Sequence, residues 1–106
     1  MTEPRSILLL GSTGSIGTQA LDVVRTNPHL FTITGLAAGG HSRRSIDLLC
    51  DQIAEFGVTE VAVADADAAQ IVQDRTGISV RVGESAATDL VLSLIHISEP
   101  TRPRLI

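Results

Sequence analysis

Apolar positions in this chain fall into two alternating patterns: short unbroken runs, and longer stretches at helical spacing. Ile7-Leu8-Leu9-Leu10 is a continuous run and predicts a strand over 6–10 that is buried on both faces. Ile16, Ala20, Val23 and Val24 recur near helical spacing and predict a helix over 15–26. Asn27-Pro28 ends it, because the residue before a proline is pushed out of the helical region. Leu30 to Ala38 interleaves Ile33 and Leu36 with Thr32 and Thr34 and reads as a second strand. Gly39-Gly40-His41-Ser42 is a loop whose Ser42 can cap a helix over about 43–56. In that helix Ile46, Leu49, Cys50 and Ile53 form one apolar stripe, while Asp47, Asp51 and Glu55 share another face. Gly57 is its stop.

The second half repeats the alternation. Glu60 to Ala64 reads as a third strand. Asp65 or Asp67 caps a helix through Asp74, and Gly77 follows. Ile78 to Val82 is a fourth strand. Gly83-Glu84-Ser85 turns into a brief helix, Ala86 to Thr88, and Leu90-Val91-Leu92 begins a fifth strand. Five strands alternating with four helices form a βαβ series without internal repeats. Right-handed crossovers then predict an α/β fold: a Rossmann-like, doubly wound parallel sheet, here incomplete.

Composition sharpens this picture. The chain of 106 residues is one domain or a piece of one. Phe31 and Phe56 are its only aromatic residues although 43% of it is hydrophobic, so Leu, Ile, Val and Ala must build the core. A net charge of −4 argues against a nucleic-acid partner. All eight basic residues are Arg, and Arg43-Arg44 stands out locally. Cys50 is the only cysteine, which excludes an intrachain disulfide and fits a cytoplasmic setting. No apolar run reaches membrane-spanning length, so no membrane partner is expected. The polar start, Met-Thr-Glu-Pro-Arg, lacks a signal-peptide core.

The chemistry concentrates at Gly11-Ser-Thr-Gly-Ser-Ile-Gly17, between the first strand and the first helix. A helix N-terminus there turns orphan N–H groups and a positive dipole end toward an anion. Gly11 permits a sharp turn, Gly14 leaves room for a pyrophosphate, and Gly17 lets the helix lie close on the sheet. Ser12, Thr13 and Ser15 add hydroxyl donors. Three glycines can also be a plain structural turn; the flanking strand and helix favour a nucleotide phosphate. An NAD site places Asp or Glu about 20 residues on to bind the ribose 2′-OH. Ala37 to Arg44 holds no acid and two guanidinium groups, which suits a 2′-phosphate. The competing reading makes Arg43 and Arg44 solvated residues of a helix's first turn, where their charge opposes the dipole.

Other residues carry less. His41 lies in the loop and can donate to a ribose or phosphate; His29 reads as a surface residue, and His96 falls in an atypical tail. Cys50 sits in an apolar stripe, and the acids of that helix read as a solvated face. No metal-ligand spacing and no nucleophile–base pair stands out. The residues describe a cofactor-binding half without a catalytic half.

The run Ile7 to Val24 resembles the N-terminus of the 1-deoxy-D-xylulose 5-phosphate reductoisomerase family, as do Asn27-Pro28, Phe31, Gly35 to Gly40, Val61 to Asp65 and Ala86 to Leu92. The resemblance implies an NADPH-dependent enzyme of non-mevalonate isoprenoid synthesis. It rearranges its small-molecule substrate and reduces it to 2-C-methyl-D-erythritol 4-phosphate, as a homodimer with Mg²⁺ or Mn²⁺. It also implies cofactor-phosphate contacts at Thr13, Gly14, Ser15 and Ile16, and adenosine-ribose contacts at Gly39, Gly40 and His41. The family's metal and substrate residues lie later than this sequence reaches, so no catalytic or metal residue is expected here. Ser93 stands where the family pattern has a cofactor-touching Asn. From there the chain departs: Leu92 to Arg102, LSLIHISEPTR, resembles a translated transposon-type sequencing adapter. The expectation is a truncated NADPH-binding domain over 1–92 and a non-native tail over 93–106, inactive by itself. A non-catalytic nucleotide-binding module, or another NADP-dependent oxidoreductase, are the alternatives.

Overall fold

A computed structural model describes residues 4–95 and 104–106. His96 and most of the adapter-like run lie outside them. Among the described residues the element order is β1 (Arg5–Leu10), α1 (Ser15–Thr26), β2 (Phe31–Ala38), α2 (Arg43–Phe56), β3 (Glu60–Val63), α3 (Ala66–Thr76), β4 (Val80–Val82), α4 (Ala86–Ile95) and β5 (Arg104–Leu105). The strands form one parallel sheet in the order β4-β3-β2-β1-β5. The expected α/β class and parallel sheet are present.

Local chemistry accounts for the boundaries. The Ser42 hydroxyl accepts from the Ser45 N–H to cap α2, and the Asp65 carboxylate accepts from the Ala68 N–H to cap α3. Gly57 and Gly77 end the same helices in the left-handed conformation. One irregularity interrupts the β1–β2 ladder: the register shifts between Ile7 and Leu8, and the Thr34 hydroxyl donates to the Ile7 carbonyl there.

Alternation along the strands sorts the core into two layers. Ile7, Leu9, Ile33, Leu36, Val61 and Val63 pack with Leu21 and Val24 of α1, Leu49 and Ile53 of α2, and Val72 of α3. On the opposite face Leu8, Ala37 and Ala62 meet Ala86 and Leu90 of α4. The first three βαβ steps all move in one direction, so right-handed crossovers put α1, α2 and α3 on one face. Among the described residues only α4 covers the other.

Two expectations need correction. Leu90-Val91-Leu92 is not a fifth strand but the middle of α4, which also extends the helix expected over 86–88. A three-residue apolar run does not distinguish a strand from a buried helix. The deciding contact is tertiary: Ala86 and Leu90, one helical turn apart, cover the Leu8–Ala37–Ala62 surface. The fifth strand instead lies at Arg104–Leu105, beside the free edge of β1. There the Ile106 N–H donates to the Leu8 carbonyl (2.9 Å) and the Leu10 N–H to the Ile106 carbonyl (2.7 Å). The second correction is the face of α1. Gly17, Leu21 and Val24 are buried, whereas Ile16 is 79% exposed and Val23 also faces outward.

At the far end of the helical layer, the Arg25 guanidinium grips the Glu55 carboxylate with two nitrogens and also binds Asp22. The hydrogen bond from Arg25 holds the Glu55 carboxyl below its usual range, with burial opposing and the Arg25 charge assisting. Arg25 lies over the Phe56 ring, 5.6 Å from its centroid. Burial pushes the Cys50 thiol up, with Arg75 opposing.

Candidate functional site

The site grows from the end of β1. Gly11 adopts φ 67°, a left-handed conformation that costs a residue with a side chain, so the chain can turn at once. The Gly11 and Ser12 N–H groups both donate to the Ala37 carbonyl, at 2.8 and 3.1 Å, which ties the turn to the end of β2. The Gly14 N–H donates to the Gly11 carbonyl (3.1 Å) and closes the loop. The three glycines serve different needs. A Cβ on Gly17 would fall 2.2 Å from the Gly11 carbonyl oxygen and 2.8 Å from Ser12 Cα, so α1 presses directly on the loop backbone. A Cβ on Gly14 would meet only the Gly11 oxygen, at 3.5 Å, an ordinary contact. Nothing among the described residues therefore requires glycine at 14.

Gly14 is the N-cap of α1, and no side chain caps that helix. α2 and α3 both have side-chain caps. α1 thus keeps first-turn N–H groups available to an anion, with no acidic residue in that turn to compete. Its position in the sheet matters equally. Strand order runs from β1 through β2 and β3 to β4 on one side and to β5 on the other, so the order reverses at β1. Dinucleotides bind in the crevice at such a switch point, outside the C-terminal strand ends.

The loop after β2 forms the facing wall. Gly40 combines φ 76° with tight packing: a Cβ there would approach Ala68 Cβ to 2.7 Å and Val63 Cγ1 to 2.9 Å. The His41 ring folds back over Gly39, where a Cβ would lie 2.5 Å from its Cδ2. The Thr13 and Ser45 hydroxyls share a 2.9 Å hydrogen bond and join the two walls. Between them lies a cavity of about 410 Å³ lined by Thr13, Gly14, Ser15, Ser42, Arg44 and Ser45, among others. A second cavity of about 600 Å³, between α2 and α3, is lined by Gly40, His41, Arg43 and Arg75 together with Asp47. Arg75 donates to Asp47 there at 2.6 Å.

The arginine pair is therefore split. Arg44 faces the glycine loop, and Arg43 faces the neighbouring cavity with Gly40 and His41. Thr13, Gly14 and Ser15 gather around the first cavity, while Gly11 and Gly17 shape the loop behind them. Ile16 stands largely free of the protein. Sequence reasoning missed three residues. Ser45 lies three residues after the cap Ser42, a spacing that puts it in α2's first turn. Arg75 reads only as a helix-terminal base. Gln52 is buried and donates from Nε2 to the Ser12 carbonyl at 2.8 Å, with no sequence signal beyond its neighbour Ile53.

Among the described residues, no group of three or more His, Cys, Asp or Glu side chains could hold a metal ion. Nor is any helix long and apolar enough to cross a membrane.

The model of the family described as 1-deoxy-D-xylulose 5-phosphate reductoisomerase matches residues 7–96. The chain belongs to this family. The reductoisomerase of Rhodococcus jostii is 56% identical over 83% of the chain, which corresponds to 21% of that protein. That of Mycobacterium ulcerans is 46% identical over 93% of the chain and 25% of its own length. The chain spans about a quarter of the length of these reductoisomerase relatives. Among solved structures, the reductoisomerase of Zymomonas mobilis in complex with NADPH superposes with a TM-score of 0.75 at 23% identity, over 89% of this chain and 25% of that one. A reductoisomerase bound to NADPH, fosmidomycin and magnesium gives 0.71 at 21% identity, over 82% and 21%. These likenesses establish the shared fold.

Proposed function

We propose that residues 1–92 form the NADPH-binding unit of a 1-deoxy-D-xylulose 5-phosphate reductoisomerase, the enzyme that rearranges and reduces its substrate to 2-C-methyl-D-erythritol 4-phosphate. The observation that carries this reading is the uncapped start of α1 at Gly14, directly after the glycine turn that ends β1. The residues fit the cofactor. Gly14 has space for a phosphate on its outer side, and Arg44 stands across the cavity where a carboxylate would exclude a 2′-phosphate. When bound, NADPH supplies the hydride for the reduction.

The residues of this chain bind and orient. Backbone N–H groups at Thr13, Ser15 and Ile16 receive the diphosphate, which approaches over the bare Cα of Gly14, on a loop shaped by Gly11 and Gly17. Gly39, Gly40 and His41 receive the adenosine ribose. Arg44 pairs with the 2′-phosphate, and Arg43 supports it from the adjoining cavity. The metal of the family finds no ligand set among the described residues, so no step is assigned to it. Residues 93–106 lie outside the functional unit. The full-length protein is a cytoplasmic homodimer acting on a small molecule, without nucleic-acid or membrane partners, and the 106-residue chain turns over no substrate.

The test compares NADPH and NADH dissociation constants in the full chain. Arg44→Ala should narrow the preference for NADPH by about ten- to a hundredfold, the worth of a charge-assisted contact. Arg43→Ala should narrow it less. An unchanged ratio in the Arg43→Ala/Arg44→Ala double variant would reduce both arginines to surface charges.

A further inference from the structure

Gln52 is an unusual residue for its place. It sits on the buried side of α2 beside Leu49 and Ile53, 3% exposed, where an apolar side chain would pack without penalty. Its Oε1 is buried and has no hydrogen-bond partner, as is the Oγ of Ser12, itself fully buried. A buried polar atom without a partner costs stability, so a role in the fold alone explains Gln52 poorly. What Gln52 does have is one well-formed bond, from Nε2 to the Ser12 carbonyl across 40 positions of sequence.

That bond completes the tying down of the glycine loop. The Gly11 and Ser12 N–H groups are held by Ala37, the Gly11 carbonyl by the Gly14 N–H, and the Ser12 carbonyl by Gln52. Every backbone polar atom of the two inner loop residues is thereby fixed, with Gly17 pressed against them from below. The Ser12 carbonyl belongs to the peptide that continues into Thr13, so its direction sets that of the Thr13 N–H on the opposite side of the same plane. With the carbonyl drawn inward to Gln52, the Thr13 N–H is turned away from the core.

We propose that Gln52 is a positioning residue for dinucleotide binding: it holds the Ser12–Thr13 peptide so that the outer N–H groups of the loop are pre-oriented for the cofactor diphosphate. The inference rests on the phosphate-loop reading above and adds to it a residue that touches no cofactor. Pre-orientation acts on affinity, because a loop already in the bound conformation loses less freedom on binding. It acts on the diphosphate that NADPH and NADH share, not on the 2′-phosphate.

The experiment uses the full chain with Gln52→Met, which keeps length and volume but removes the donor, and Leu49→Val as a control for loss of packing in the same helix. Calorimetry gives dissociation constants for both dinucleotides, and hydrogen exchange of the ligand-free protein reports the Gly14 amide. In Gln52→Met both dissociation constants should rise together by about tenfold, the worth of one hydrogen bond, with their ratio unchanged. Gly14 exchange should quicken. Leu49→Val should lower the melting temperature and leave both readouts as they were. Unchanged affinities in Gln52→Met, or an equal loss in Leu49→Val, would overturn the proposal and leave Gln52 a packing residue. Wild-type protein that binds neither dinucleotide would overturn the phosphate-loop reading as well. The two failures are told apart because quickened Gly14 exchange in Gln52→Met would still show the tether.

Discussion

Alanine substitutions at Gly14 and Gly17 should have opposite consequences, although the two glycines stand three residues apart in one motif. At Gly17 the added methyl would lie 2.2 Å from the Gly11 carbonyl oxygen and within 3 Å of two Ser12 backbone atoms. These are backbone atoms, held by hydrogen bonds to Ala37 and Gly14, and cannot step aside as a flexible side chain would. Replacing glycine within a helix gains about 1 kcal/mol of propensity. Overpacking against rigid surroundings costs roughly 1–3 kcal/mol, and a contact this short belongs at or beyond the upper end. The net for Gly17→Ala is a loss of about 2 kcal/mol, or a melting temperature lower by roughly 10 °C in a domain of this size. At Gly14 the methyl would meet one oxygen at 3.5 Å, and φ −81° suits any residue. A weaker N-cap costs at most about 1 kcal/mol, and a stiffer unfolded chain returns about half of that.

Gly14→Ala should therefore melt within a few degrees of the wild type. Its effect falls on the ligand, since the methyl occupies the space a phosphate oxygen would take. Losing one charge-assisted hydrogen bond raises the NADPH dissociation constant by about ten- to a hundredfold. Gly14→Val, with its larger branched side chain, should abolish binding. Thermal denaturation and calorimetry on the same preparations separate the two outcomes. Unchanged NADPH affinity in Gly14→Val would remove the loop from the site. A Gly17→Ala protein as stable as the wild type would refute the packing argument.

Three further outcomes follow from other parts of the chain. Gly40→Ala combines a left-handed backbone with contacts of 2.7 and 2.9 Å, and should cost about 2 kcal/mol in denaturant titration. The Glu55 carboxyl is held by Arg25 below its ordinary value of 4.5, so its contribution is present above that pH and fades as pH falls through the lower folded value. Because the pair is exposed, Glu55→Gln should lose only about 0.5 kcal/mol at neutral pH, and the gap to wild type should close on acidification. Deleting Ser93–Ile106 should leave NADPH affinity within about twofold, since the diphosphate contacts all precede it, but should increase light scattering because β1 loses the strand on its edge. A large fall in affinity would make the tail part of the binding unit.

Much of the fold was legible because its signals are local. Ser42, Asp65, Gly57 and Gly77 mark helix ends through bonds and backbone angles within a few residues of themselves, and each marks the end expected of it. The glycine turn was legible for the same reason: strand, glycines and helix are consecutive. What was not legible depended on contacts between distant residues. On α1 the apolar pattern pointed to Ile16 and Val23, but the helix is seated by Gly17 against the loop, and a glycine carries no hydrophobic signal. Gln52 carries no sequence signal, because its role depends on its amide reaching Ser12 across 40 positions of sequence. The split of Arg43 from Arg44 follows from their adjacent positions on a helix, where neighbours point about 100° apart.

The helix that stands in place of the expected strand over 90–92 has a topological cause. Three successive crossovers of one hand carry the chain from β1 to β4 and place α1, α2 and α3 on a single face. The other face, Leu8 with Ala37 and Ala62, is then left for whatever follows β4. Its side chains are small beside Leu8, so a helix can lie close there, and Ala86 with Leu90 supplies the matching ridge. Reading Leu90-Val91-Leu92 as a strand left that face uncovered. A parallel sheet with one bare face is the costlier arrangement. At the free edge of β1, β5 pairs in parallel. That pairing places β1 inside the sheet rather than at its edge. The face left open by three crossovers of one hand is thus what draws residues 90–92 into a helix rather than a strand.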